Sequence, residues 1–187
     1  GDNLTYTYSD GTLTISGTGP MYNTEYNAES YINYGWVENP LEIDTLILHE
    51  GMTTIGAYAF SSLNISGEVT IPEGVTSIGL GAFSHSMGIT SVSIPATVTN
   101  IGTAAFYDCP LIDIYYGGTP EQWNSITFGE ENNNIYDAEV HVTSTSVTPS
   151  QNTAPSSSDE IKVILNGNTL QFDQPPVISK GRTLVPM

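Results

Sequence analysis

A chain of 187 residues with 39% hydrophobic side chains and a formal net charge of −17 has room for one globular domain with an appendage. Its three basic residues are Lys162, Lys180 and Arg182, and 19 of the 20 acidic residues precede them, so residues 1–160 hold neither lysine nor arginine. Phosphate backbones and anionic headgroups are bound mainly through those two side chains, which argues against nucleic acid and lipid surfaces as partners and leaves basic partners or divalent cations.

No run approaches the ~20 apolar residues that cross a bilayer, so membrane insertion is not expected. The chain opens without a basic and apolar leader, and a secreted form would carry its leader upstream of Gly1. One cysteine, Cys109, rules out an intramolecular disulfide and reads as a small buried hydrophobe rather than a reactive thiol.

Residues 1–42 form the first unit, an N-terminal cap. Thr5 to Tyr8 and Thr12 to Ser16 alternate around Asp10-Gly11, which predicts a hairpin with Leu4, Tyr6 and Tyr8 on one face and Leu13 and Ile15 on the return strand. Asn27 followed by Ala28, Tyr31 and Ile32 predicts a short helix ending at Gly35, and Trp36 is expected within the same seal.

Residues 43–111 write one 23-residue pattern three times, as "LILHEGMTTIGAYAF", "VTIPEGVTSIGLGAF" and "VSIPATVTNIGTAAF". Ile55, Ile78 and Ile101 share a column, as do Gly56, Gly79 and Gly102, and then Phe60, Phe83 and Phe106. A fixed period in this range is the signature of a solenoid, whose units bury their apolar side only by stacking. Leu46 and Leu48, Val69 and Ile71, Val92 and Ile94 alternate with outward neighbours in short strands, which Pro72 and Pro95 then stop. Met52, Val75 and Val98 return inside. The glycine column marks a corner that needs either an unusual backbone angle or close chain approach.

The runs "IPEGVTSIGLGAF" and "IPATVTNIGTAAFYDC" resemble the BspA-type leucine-rich repeat, whose motif is close to I-P-x-x-V-T-x-I-G-x-x-A-F-x-x-C; only the first repeat departs, with Leu48-His49 in place of Ile-Pro. The resemblance covers residues 43–142 and implies a secreted or surface-exposed protein, often from a Gram-positive gut or oral bacterium, that binds a partner through its solenoid.

Residues 112–142 are expected to be a C-terminal cap. Ile112, Ile114 and Tyr115 begin a fourth strand that is not completed as a repeat, Thr119-Pro120 with Gln122 predicts a capped helix carrying Trp123 and Ile126 on one face, and a polar loop leads to a last strand through Ala138, Val140 and Val142. Residues 143–160 contain 12 Ser, Thr or Pro among 18 and read as a linker. Residues 161–187 return to strand chemistry around Asn166-Gly167 and resemble the start of the copper amine oxidase N-terminal-like domain, a noncatalytic module common in secreted Firmicutes proteins, with no ligand set for copper here. A lone hairpin is marginal in water, so this fragment is expected to dock on its own solenoid or on a neighbouring molecule. The expected architecture is a strand-rich α/β repeat: a short leucine-rich-repeat solenoid of about three 23-residue coils with N- and C-terminal caps, plus a C-terminal β-hairpin fragment.

Catalytic chemistry is not legible. His49, His85 and His141 form no metal-site spacing with another His or Cys and read as solvated or capping residues, and no nucleophile motif or phosphate loop is present. Glu130, Glu131 and Asp137 with nearby asparagines offer oxygen ligands for calcium, but without EF-hand spacing the preferred reading is a solvated loop. The chain is therefore expected to be no enzyme and to need no cofactor or metal. Binding is expected on the sheet face, with outward columns of Thr45, Glu68, Ser91 and Ile114; Ile47, Thr70, Ser93 and Tyr116; and His49, Pro72 and Pro95. These side chains suit an extended extracellular protein or glycan partner of an adhesion-type module. The alternative is a noncatalytic spacer or targeting module of a larger cell-wall-associated enzyme.

Overall fold

The structure is a computed structural model that describes residues 2–24, 26–27, 31–32 and 43–143, together with strand backbones at 164–165, 168–169, 177–179 and 182–186. The chain opens with β1 (Leu4–Ser9) and β2 (Thr12–Gly17), joined antiparallel through Asp10 (φ 49°) and Gly11 (φ 78°). Two successive positive φ angles give the turn twist that matches right-handed strands. Leu13 and Ile15 are buried, whereas Tyr6 and Tyr8 are exposed, so β1 is a solvent-facing edge and β2 carries the apolar face.

Strand β2 is also the first rung of the solenoid. It pairs in parallel with β6 (Thr45–Leu48), and the short β3 (Gly19–Pro20) pairs with β7 (Met52–Ile55). Between them, β4 (Tyr26–Asn27) and β5 (Tyr31–Ile32) form an antiparallel pair with Asn27 opposite Tyr31. The helix expected from Asn27 is therefore replaced by strand pairing at those positions, in keeping with the preference of Tyr and Ile for a pleated surface. Gly35 and Trp36 lie outside the described residues.

Each later coil gives one strand to each of two parallel sheets. On the first side, β6 ends the sheet it forms with β1 and β2, and the stack continues as a further parallel ladder of β8 (Ser66–Thr70), β10 (Gly88–Ile94), β12 (Asp113–Tyr116) and β14 (Glu139–Val142). Beside β6, the Ser66 N–H donates to the Asp44 carbonyl (2.9 Å). The second sheet runs from β3 and β7 through β9 (Ser77–Ile78) and β11 (Asn100–Ile101) to β13 (Thr127–Phe128). The strand ladder thus continues past the three 23-residue units at both ends. The fourth strand is followed by a rung in the second sheet: Ile101 pairs with Phe128, 27 positions on, and helix α1 (Pro120–Ser125) occupies the extra length. A five-residue helix, α2 (Asn133–Asp137), lies where a polar loop was expected.

The third side of each coil is a turn segment with its own ladder. Tyr58, Phe60 and Ser62 donate their N–H groups to the carbonyls of Leu80, Ala82 and Ser84, and Gly81, Phe83 and His85 donate to Thr103, Ala105 and Tyr107. Two columns in this segment hold left-handed φ angles: Tyr58, Gly81 and Ala104, then Ser62, His85 and Asp108. Only Gly81 announces this in the sequence. At the Gly56, Gly79 and Gly102 corner the reason for glycine is close approach, since a Cβ on Gly79 would lie 2.6 Å from the Ala57 nitrogen and one on Gly102 2.7 Å from the Leu80 nitrogen. Inside, Phe60, Phe83 and Phe106 stack at centroid distances of 5.4 and 5.1 Å, flanked by the buried Met52, Val75 and Val98 and the isoleucine column.

The ladder has a built stop. Phe60 and Phe83 find backbone carbonyl partners in the next coil, but the Phe106 N–H donates to the Oδ1 of buried Asn132 (3.4 Å). Asn132 Nδ2 in turn donates to the carbonyls of Gly102 (2.8 Å), Gly129 (3.0 Å) and Glu130 (3.3 Å). The Phe106 N–H, whose counterparts at Phe60 and Phe83 are paired by the next coil, is thereby satisfied by a side chain, as buried polar groups require. At α1, Gln122 N–H donates to Thr119 Oγ1 and Thr119 N–H to Gln122 Oε1, a reciprocal capping box, with Trp123 and Ile126 buried.

In the tail, β15 (Ile164–Leu165) pairs antiparallel with β16 (Asn168–Thr169), and β17 (Val177–Ser179) with β18 (Arg182–Pro186). Strand β18 lies parallel beside β14, with His141 opposite Val185.

Candidate interaction face

Alternation along the first sheet sends Leu46, Val69 and Val92 into the core and turns their neighbours outward. Thr45, Ile47, Glu68 and Thr70 are exposed, Ser91 and Ser93 are half-buried, and His49 is exposed just beyond β6. Ile47 retains 42% of its surface, an apolar point among small polar side chains. Ser93 Oγ donates to Glu68 Oε1 (2.6 Å), which ties adjacent rungs together across the face.

Four residues expected on this face are not there. Ile114 and Tyr116 are buried, at 0% and 1% exposure, because β12 pairs Ser91 with Asp113 and Val92 with Ile114. The segment from Phe106 to Ile114 is one residue shorter than that from Phe83 to Val92, so the 23-residue step fails at this rung. A slip of one residue exchanges the two faces of a strand. Pro72 and Pro95 are also buried: each opens a tight corner, closed by Val75 N–H to Pro72 (3.4 Å) and Val98 N–H to Pro95 (3.2 Å), that packs within the stack.

The outward positions at the C-terminal rungs are instead Asp113 and Tyr115 on β12 and Glu139 and His141 on β14. Asp113 sits directly opposite Glu139, and Tyr115 opposite His141. The His141 and Tyr115 rings stack with centroids 5.0 Å apart and planes 19° from parallel. His141 Nε2 lies 2.8 Å from Asp113 Oδ1, and its Nδ1 lies 4.0 Å from Glu139 Oε1. The alternation of "DIYY" with "EVHV", which sets Ile114, Tyr116, Val140 and Val142 inward, was the signal available in the sequence.

The other polar candidates take structural or solvated places. His85 Nδ1 pairs with Asp108 Oδ2 (3.2 Å) in an exposed turn and meets the edge of Tyr107. Glu130, Glu131 and Asp137 are exposed, and the neighbouring Asn132 is committed to backbone groups. Cys109 is fully buried and donates to the Phe83 carbonyl (3.0 Å), as Ser86 does to Phe60 (2.9 Å) one coil earlier. Burial pushes its thiol from the ordinary 9.0 up to about 12.

Comparison with known proteins fits this geometry. The family model described as the BspA type leucine-rich repeat region matches residues 27–135 in six copies. No curated protein matches the chain. Among solved structures, a leucine-rich repeat protein from Eubacterium ventriosum is similar, with 25% sequence identity, a TM-score of 0.52 and 77% of this chain covered. The chain spans 43% of the length of that protein. Leucine-rich repeat families are commonly interaction modules and generally non-catalytic, and the BspA type is typical of bacterial surface proteins. With its two parallel sheets, its ladder of turns and a family match over more than half its length, the chain belongs to the BspA-type leucine-rich repeat family.

Proposed function

We propose that this protein is a secreted or cell-surface, non-catalytic interaction module of the adhesion type, which holds an extracellular protein or glycan against the outer face of its first sheet. The carrying observation is the face itself: Thr45, Ile47, Glu68, Thr70, Ser91 and Ser93 lie outward on successive rungs. Such a surface suits an extended partner that gains affinity from many shallow contacts rather than from one deep pocket. The solenoid's lack of lysine and arginine favours neutral or basic ligands and disfavours phosphate-rich ones. Among the described residues no helix is long and apolar enough to cross a membrane. The reading of residues 161–187 as the start of a copper amine oxidase N-terminal-like module rests on sequence runs and is compatible with the two antiparallel strand pairs in that segment.

The test is a binding screen of the full chain against glycan and extracellular-matrix or bacterial surface-protein arrays, repeated with Ile47→Glu and Thr70→Lys together. A ligand captured by the parent and lost in a correctly folded double variant supports the reading. A blank screen, or binding that the double variant retains, overturns it.

A further inference from the structure

We propose that Asp113, Glu139 and His141 form a binding site for a divalent transition-metal cation of the zinc type at the C-terminal end of the sheet face. One ligand atom from each of the three side chains lies within 4.8 Å of the others. Donors around one tetrahedral zinc stand about 3.4 Å apart, given bonds of about 2.0–2.2 Å, so closure asks each donor to move by about an ångström. Glu139 is the most exposed, with 59% of its side chain open, and is free to rotate inward, whereas His141 at 17% is held by the Tyr115 ring and Asp113.

The chemistry of the donors chooses the class of ion. Calcium and magnesium take oxygen ligands, and an imidazole nitrogen beside two carboxylates suits zinc, nickel or copper. The rungs also supply a reason for a cation. Asp113 and Glu139 are directly opposed across parallel strands, an arrangement of like charges that costs stability. The group between them is His141, with Nε2 2.8 Å from Asp113 and Nδ1 4.0 Å from Glu139. Three protein donors leave a coordination position to solvent, the open arrangement in which a bound metal can accept a further ligand. This site stands independently of the partner proposed above, since it concerns the ion alone.

The experiment is titration of the full, tag-free and metal-stripped chain with zinc chloride by calorimetry, with cobalt(II) absorption as a spectroscopic readout. One saturable zinc per chain is expected, unaffected by millimolar calcium, with visible cobalt bands in the parent. His141→Ala should abolish those bands and weaken zinc binding by at least about tenfold, Glu139→Gln should weaken it as well, and His85→Ala, in an exposed turn outside the site, should leave it unchanged. Circular dichroism establishes that each variant is folded, and the exposed Glu139→Gln variant serves if His141→Ala is not. Unsaturable uptake, or zinc affinity unchanged in the folded variants, would show general attraction to an acidic surface and overturn the site.

Discussion

Cys109 shows how a single buried side chain is set by its place in the stack. Its thiol donates to the carbonyl of Phe83, the job that Ser86 does for Phe60 one coil earlier, and desolvation raises its pKa to about 12. The thiolate is the reactive form, so the native chain should not be labelled by a thiol-specific disulfide reagent at pH 8 until it is unfolded. Linkage follows from the same shift. Below about 9 both folded and unfolded states hold the proton; as pH rises from 9.0 towards about 12 the unfolded state releases it first, so stability falls across that window. Tyrosines titrate nearby, so the measurement is the difference in pH dependence between the parent and Cys109→Ser, which keeps a hydroxyl donor for Phe83. Equal slopes would contradict the burial of this thiol.

At the scale of the element, the repeated turn is held by aromatic stacking inside and carbonyl ladders along the backbone. Phe83 has a ring on either side, and Phe83→Ala should cost about 3–5 kcal/mol, read as a lowered midpoint in chemical denaturation. A midpoint equal to that of the parent would refute its interior position. Column reasoning located this ring, the isoleucines, the glycine corner and the Thr119 capping box, because each is fixed by residues within one coil. It could not distinguish the two reasons for glycine at the corner. The left-handed φ angles fall two and six residues further on, largely at non-glycine residues such as Tyr58, His85 and Ala104, where residue type carries little signal. The helix expected from Asn27 failed because Tyr26, Tyr31 and Ile32 fit a paired strand equally well, and pairing is decided by a neighbour that periodicity does not see.

For the molecule as a whole, the net charge of −17 sets an electrostatic cost on the compact state. Salt shortens the screening length from about 30 Å at 0.01 M to about 3 Å at 1 M, so sodium chloride should raise Tm across that range. A relief of about 1 kcal/mol corresponds to about 2–4 °C for a chain of this size, measurable by calorimetry. A Tm that stays flat or falls would mean that the acidic residues are too dispersed to repel one another effectively.

What the sequence by itself determined was the interior. The 23-residue period repeats the same burial demand, and a column that recurs at Ile55, Ile78 and Ile101 or at Phe60, Phe83 and Phe106 has one physical solution, which is to stack. Tertiary structure decided the face. Whether Ile114 or Asp113 points outward depends on strand register, and register depends on a loop one residue shorter than its predecessors. The meeting of Asp113 with Glu139 and His141 depends on it as well, because α1, α2 and β13 intervene before β14 returns beside β12. Outward side chains are not constrained by burial, so only the stacking of coils brings them together.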